Sequence, residues 1–440
     1  LTISARKQQW KNGKKQVIFN EFKSAKMNIV RVSTAGSVDD GKSTFIGRLL
    51  FDTASLPKDK IAHIKAVSDK KGLAELDLSL VTDGLIAERE QGITIDVAHI
   101  YFDTENRKYI IADSPGHIEY TRNMITGASN SQVFIILMDA RHGIVEQTKR
   151  HLFIAKLMGI NEIVFVINKM DLVGFSEAVY QSILKDLAEL QDKFELNGRN
   201  LSFFPISAKM GDNVVHPSSN MPWYTGETVL NHLENLKLNE EMDQPLRFSV
   251  QFVIRPHADE FHDFRGYAGK VLSGKLKVGD EVAVLGSNQS AKIAAINRYK
   301  DKLLVATEGD AVVIELDKDI AVSRGDLLTL QKEVITGEKL IRANLCWLNN
   351  TPLNFDQKYI FKQGPFQTQI KVSDINSQLD FEQLLFVEQS TALEANSISL
   401  VQLRSASPLF IDAFQAIPRN GAFILIDPQT NSTVAVGFKS

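Results

Sequence analysis

Between Asn28 and Asn239 short apolar runs alternate with helix-like segments. The runs "NIVRVS", "AHIYFD", "KYIIAD", "VFIILMD", "EIVFVIN" and "SFFPIS" read as strands, and a stretch such as "EQTKRHLFIAKLMG" reads as a helix. That rhythm predicts an α/β domain built on a mostly parallel, doubly wound sheet with helices on both faces. Beyond Gln244 the pattern changes. Phe248–Val253, Ala268–Leu272, Glu281–Val284 and Ala311–Leu316 are short β-prone runs broken by Gly-rich turns such as "SGKLKVGDEV", which suits a small barrel. From Gly337 to Ser440 "QTQIKVSDI", "SISLVQL" and "GAFILID" repeat the all-β character. The expected organisation is an extension over 1–27, the α/β domain over 28–239, and two β-barrel domains over 244–333 and 337–440.

Composition narrows the function classes. The chain has 440 residues, 44% of them hydrophobic, enough to bury substantial cores. A net charge of -3 argues against a surface built mainly to neutralise nucleic-acid phosphates. The single cysteine, Cys346 in "ANLCWLN", excludes an internal disulfide and a Cys-rich zinc cage, and its apolar flanks make it core filler. No apolar run approaches the roughly 18 residues of a membrane span, so the predicted location is cytoplasmic. The extension carries Arg6, Lys7, Lys11, Lys14, Lys15, Lys23 and Lys26 against Glu21 and lacks the apolar core of a secretory signal. It reads as a solvated tail, with contact to RNA or an acidic partner as the alternative. A first residue other than methionine suggests a chain shorter than its gene product.

The chemistry lies in four motifs in order. "GSVDDGKST", Gly36 to Thr44, fits G-x-x-x-x-G-K-[ST] between a strand and the helix-like "TFIGRLL". Its members Gly36, Ser37, Val38, Asp39, Asp40, Gly41, Lys42, Ser43 and Thr44 can wrap backbone N–H groups around a β-phosphate. Lys42 adds a positive charge toward the β and γ oxygens, and the Ser43 hydroxyl can ligate Mg²⁺. "DSPGH" follows the strand "KYIIAD": Asp113 can hold Mg²⁺ through water, and the Gly116 N–H can report a γ-phosphate. "NKMD" ends "IVFVIN". A carboxylate such as Asp171 accepts from both the ring N–H and the exocyclic amine of guanine, which adenine does not offer; Asn168 bridges loops and the Lys169 stem packs on the base. "SAK", Ser207, Ala208 and Lys209, follows the last strand, where a backbone N–H can meet the guanine carbonyl. D-x-x-G alone is nearly worthless, but four independent signals, weak to strong, in this order identify GTP.

Between the first two motifs lies "EREQGITID", where Thr94 can complete a Mg²⁺ shell only when a γ-phosphate is present. His117, directly after Gly116, is suited to orient the attacking water. The reaction class is phosphoryl transfer to water.

With "GITID" and "DxPGH", these motifs resemble the translation-factor class of P-loop GTPases, whose members place two β-barrels after the GTPase domain. The sequence departs from elongation factor Tu, whose phosphate loop typically reads G-H-V-D-H-G-K-T. It is more similar to the GTPase subunit of the bacterial heterodimeric sulfate adenylyltransferase, the CysN type. "GSVDDGKSTFIGRLLFDT", "DGLIAEREQGITIDVAHIYF", "IADSPGHIEYTRNMITGAS", "INKMDLV", "MPWYTG" and "RFSVQFVIRP…DFRGYAGKVLSG" carry that likeness.

The resemblance implies phosphate contacts from Gly36 to Thr44, Mg²⁺ near Ser43, Thr94 and Asp113, and hydrolysis with Lys42, Thr94 and His117. It also implies guanine at Asn168, Lys169, Asp171 and Ser207 to Lys209. It implies a partner, an ATP-pyrophosphatase-like subunit that makes adenosine 5′-phosphosulfate and pyrophosphate from ATP and sulfate, with neither membrane nor nucleic acid involved. The alternatives are an elongation-factor-like GTPase delivering aminoacyl-tRNA and a GTP-gated scaffold.

Ser114 stands where a threonine is more usual, and "HADEFH", His257 to His262, reads as a surface insertion rather than a metal site. Arg265 in "DFRGYAG" is open between partner contact and barrel packing. Trp223 and Tyr224 in "MPWY" read as packing, with a binding hot spot as the alternative.

Overall fold

The computed structural model describes residues 29–70, 76–81, 98–114, 121–237, 244–256, 264–287, 289–380, 383, 385–388 and 392–440. The chain divides into two compact units, Leu1–Leu236 and Lys237–Ser440. Among the described residues no helix is long and apolar enough to cross a membrane.

Among the described residues the N-terminal unit holds six strands, β1 (Ile29–Ala35), β2 (Ala98–Asp103), β3 (Lys108–Asp113), β4 (Val133–Asp139), β5 (Glu162–Asn168) and β6 (Asn200–Pro205). Its helices are α1 (Lys42–Asp52), α2 (Lys58–Lys70), α3 (Thr121–Ala128), α4 (Glu146–Leu157), α5 (Glu177–Lys193) and α6 (Val229–Asn235). The sheet runs β2-β3-β1-β4-β5-β6, all parallel except β2, which pairs antiparallel to β3 at one edge. The central strand β4 reads "VFIILMD" without alternation because every residue of it is buried, as a strand covered on both faces requires. The edge strand β2 alternates instead and leaves Tyr101 out in solvent. Parallel pairing brings the carboxyl ends of β1, β3, β4 and β5 to one side, with Thr34 opposite Asp113 and Asp139 opposite Asn168. Ligands of such sheets bind in the crevice outside those ends.

The C-terminal unit is two closed antiparallel barrels. In the first, the ring runs Glu281–Val284, Leu327–Leu330, Arg247–Ile254, Gly266–Ser273, Ala311–Leu316, Ser290–Arg298 and back to its start. In the second it runs Tyr359–Gln363, Ala422–Ile426, Thr433–Lys439, Glu338–Trp347, Ile398–Leu409, Phe366–Asp380 and back. Each encloses its own apolar core, one around Phe248, Tyr267 and Ile314, the other around Trp347, Phe361 and Leu403. Closure leaves no long open edge within either ring. The α/β domain followed by two β-barrels thus stands as the sequence pattern predicts.

Three features noted in the sequence have their places in the fold. Cys346 is buried in a strand of the second barrel. Trp223 and Tyr224 pack on Tyr180 of α5, and the Trp223 indole N–H donates to the Phe175 carbonyl at 2.9 Å. Arg265 lies over the Tyr267 ring and pairs with Asp319, both within the first barrel. His257 to His262 lie outside the described residues.

Candidate functional site

The phosphate loop joins β1 to α1, and its shape depends on Gly41. That residue caps α1 with φ +91°, and a Cβ there would also sit 2.5 Å from the Asn168 side-chain nitrogen. Only glycine meets both conditions without strain. At the front of the loop a Gly36 Cβ would come within 3.0 Å of the Leu137 carbonyl, so the loop also presses closely on β4. The Ser37 N–H donates to the Asp40 carboxylate at 2.6 Å, and the Lys42 ammonium donates to the Gly36 and Ser37 carbonyls at 2.9 and 3.3 Å. Burial pulls Lys42 below the usual lysine range, against the opposing pull of Asp113, Asp40 and Asp39. Burial likewise lifts Asp40, opposed by the Ser37 N–H and Lys42, reinforced by Asp139 and opposed again by Lys169. The loop is therefore a compact charged cluster at the N-terminus of a helix, a place that favours anions.

Asp113 ends β3, buried, and accepts from the Thr34 hydroxyl at 3.0 Å. The adjacent Ser114 packs its hydroxyl beneath α3, 3.4 Å from the Ser33 hydroxyl, and a Cβ at Gly127 would come within 2.6 Å of it, so the helix needs glycine there. Gly116, His117 and Thr94 lie outside the described residues. No group of three His, Cys, Asp or Glu converges among the described residues. A serine hydroxyl and one carboxylate nonetheless suit a hard cation such as Mg²⁺, which keeps several waters and takes its remaining oxygens from a nucleotide.

At the end of β5 the Asn168 amide ties the loops together. Its nitrogen donates to the Asp40 carbonyl at 2.8 Å, and its oxygen accepts from the Ala208 N–H at 2.9 Å. Asp171 accepts from the Ser207 hydroxyl at 2.7 Å, and that hydroxyl in turn accepts from the Met210 N–H at 3.2 Å. The phosphate loop, the "NKMD" turn and the "SAK" loop are thus one hydrogen-bonded body. They border a cavity of about 540 Å³ lined by Gly41, Thr44, Arg48, Leu76, Asp77, Leu78, Asn168, Lys169, Asp171, Leu172, Ala208 and Lys209. That is within the range of small-molecule and cofactor sites, roughly 300–1,000 Å³.

Some of this wall carries no motif. Arg48 on α1 donates to the Ala208 carbonyl at 3.1 Å and the Lys209 carbonyl at 2.5 Å, holding the "SAK" loop from the phosphate helix. Its signal in the sequence is the spacing from Thr44, four residues earlier on the same helix face. Leu76 to Leu78 close the cavity from a segment that enters a 3₁₀ turn, Leu78–Val81. Asp139, at the end of β4, is 3.0 Å from the Lys169 ammonium. The strand-end position that exposes Asp113 and Asn168 as candidates applies to Asp139 as well.

A model of the elongation factor Tu GTP binding domain matches residues 27–252, and one of a GTP-eEF1A C-terminal domain-like family matches residues 340–438. Sulfate adenylyltransferase subunit 1 of Citrobacter koseri is 44% identical over 413 residues, covering 93% of this chain and 86% of that protein. The bifunctional enzyme CysN/CysC of Mycobacterium tuberculosis is 44% identical over 413 residues, 93% of this chain and 67% of its own length. The GTPase-like domain of S. cerevisiae Ski7, solved with GTP, shares the fold at a TM-score of 0.50 and 16% identity, covering 94% of this chain and 97% of that one.

Proposed function

The chain belongs to the sulfate adenylyltransferase subunit 1 family, with a GTP-binding domain of the elongation factor Tu type at its N-terminal end, and we propose that it is the GTP-hydrolysing subunit of that enzyme. In this reading GTP hydrolysis here drives the formation of adenosine 5′-phosphosulfate and pyrophosphate from ATP and sulfate on an ATP-pyrophosphatase-like partner subunit. The observation that supports it most is the Asn168 amide, which joins the phosphate loop to the "SAK" loop around a nucleotide-sized cavity with Asp171 in its wall.

The roles follow from the chemistry of each position. The N–H groups from Gly36 to Thr44 and the Lys42 ammonium hold the phosphates. Asp171 accepts from the guanine ring N–H and amine, the Lys169 stem covers the ring, and an N–H of Ser207 to Lys209 meets the carbonyl. Ser43, Asp113 and Thr94 would hold Mg²⁺, which would neutralise charge on the phosphates. His117 orients the attacking water, and Thr94 belongs to a segment whose order depends on the γ-phosphate; these two roles rest on their motifs. Coupling requires that the partner's states bind the two switch conformations with different affinity, because otherwise no work is transferred.

The test is pyrophosphate release from ATP and sulfate by the chain mixed with that partner, with and without GTP. GTP should raise sulfate-dependent release, and His117→Ala should abolish the rise while leaving GTP binding intact. GTP hydrolysis with no effect on adenylyl transfer would sink the sulfate reading and leave the nucleotide reading standing; RNA binding would then be the next assay.

A further inference from the structure

Lys169 is held in an unusual way. Its backbone has φ +63°, in the left-handed region that a lysine seldom enters, and it lies between two residues already fixed, Asn168 by its two amide hydrogen bonds and Asp171 by Ser207. The far end of the side chain is fixed too, because the ammonium sits 3.0 Å from Asp139 Oδ2. Asp139 is almost wholly buried, and Arg141 locks it: the Arg141 backbone N–H and Nε donate to Oδ1 at 2.9 and 3.0 Å, and a terminal guanidinium nitrogen donates to Oδ2 at 2.6 Å. The register brings the two within reach, since Asp139 and Asn168 stand opposite each other at the ends of β4 and β5 and the Ala140 N–H donates to the Asn168 carbonyl at 2.9 Å.

From this geometry we propose that Asp139 is a positioning residue for the nucleotide: it anchors the Lys169 ammonium so that the aliphatic stem forms a fixed wall of the base cavity. The inference rests on the guanine-nucleotide reading above. A lysine stem free at its charged end must give up its rotamer freedom when a ring packs on it, whereas a stem tied at both ends has already done so. The stem contacts a ring face and carries no information about the ring's edge, which Asp171 reads. Asp139 therefore sets affinity and not base choice.

Titration of fluorescent GDP and IDP into the full chain tests this with Asp139→Asn, Lys169→Met and the double variant. IDP lacks the exocyclic amine, so the GDP/IDP ratio reports edge reading alone. Asp139→Asn is expected to weaken both ligands by the same factor, on the order of tenfold, the effect of losing a hydrogen bond to a charged group. Lys169→Met should do likewise, and adding Asp139→Asn to it should have no further effect. Asp171→Asn, by contrast, should change the ratio.

An equal loss from Asp139→Asn in the Lys169→Met background would show that Asp139 acts on the fold and not through Lys169, and would overturn the proposal. So would a changed GDP/IDP ratio or an unchanged affinity. Should Asp139→Asn fail to fold, Arg141→Gln releases the carboxylate while keeping its charge. That variant must weaken GDP in the parent and have no effect beside Lys169→Met, or the proposal falls. If the parent chain itself does not bind GDP, the guanine reading fails first.

Discussion

His151 on α4 is 1% exposed, and its Nδ1 has no hydrogen-bond partner among the described residues. Burial, with the nearby charges of Lys42 and Arg150, pushes its pKa down from 6.5 to about 3. Between those values the unfolded chain binds a proton that the native state refuses, so stability rises with pH across this window and falls as the pH drops through it. From pH 6.5 to 5 the loss from this one group is about 2 kcal/mol. His151→Leu removes the titration, and its melting temperature should fall less between pH 7 and 5 than that of the parent chain. Parallel curves for the two proteins would mean that the imidazole already accepts its proton in the folded state. The same residue marks a limit of sequence reading. Histidine in "TKRHLF" gives no sign of lying in the core, because burial there depends on how α4 meets the sheet.

At the level of elements, what could be read in advance was whatever sits at the end of a strand inside a recognisable spacing. Gly41, Asp113, Asn168 and Asp171 are such residues, and each is found at a loop that the parallel sheet delivers to one edge. Arg48 and Leu76 to Leu78 escaped notice because they reach the cavity from a helix face and from a connection, where position depends on tertiary packing. One glycine did carry a hint. Gly47 lies inside α1, where it costs about 1 kcal/mol relative to alanine, and a glycine in that setting calls for a packing reason. The reason is that a Cβ at Gly47 would come within 2.2 Å of the Leu78 carbonyl, so the helix and the 3₁₀ turn meet backbone to backbone. Gly47→Ala should raise intrinsic helix propensity yet lower stability by about 1–3 kcal/mol, the usual penalty of overpacking. It should also weaken nucleotide binding, since Leu78 is cavity wall. Chemical denaturation and GDP titration measure the two effects; a more stable variant with parental affinity would mean that the turn yields freely.

Over the whole C-terminal unit, the two barrels have separate cores but share a buried charge pair. Arg247, from the first barrel and 2% exposed at its side chain, donates through Nε and a terminal nitrogen to the two oxygens of Asp412, at 2.8 and 3.0 Å. Its other terminal nitrogen donates to the Leu246 carbonyl and the Thr329 hydroxyl, both at 2.9 Å, and Asp412 also accepts from Asn420 at 2.7 Å. Each guanidinium nitrogen has a partner, and such hydrogen bonding helps a buried ion pair hold its geometry. Two barrels tied in this way can carry a displacement imposed on one of them to the other. Removing one member should cost far more than a surface pair would. Asp412→Ala strands a buried cation and is expected to destabilise the unit by about 3–5 kcal/mol. Arg247→Met with Asp412→Leu replaces both charges by apolar groups and should recover most of that loss. Calorimetry of the full chain supplies the readout: the barrels should melt together in the parent and the double variant, and separately in Asp412→Ala. If the single and double variants lose stability additively, the pair is not a coupled clamp.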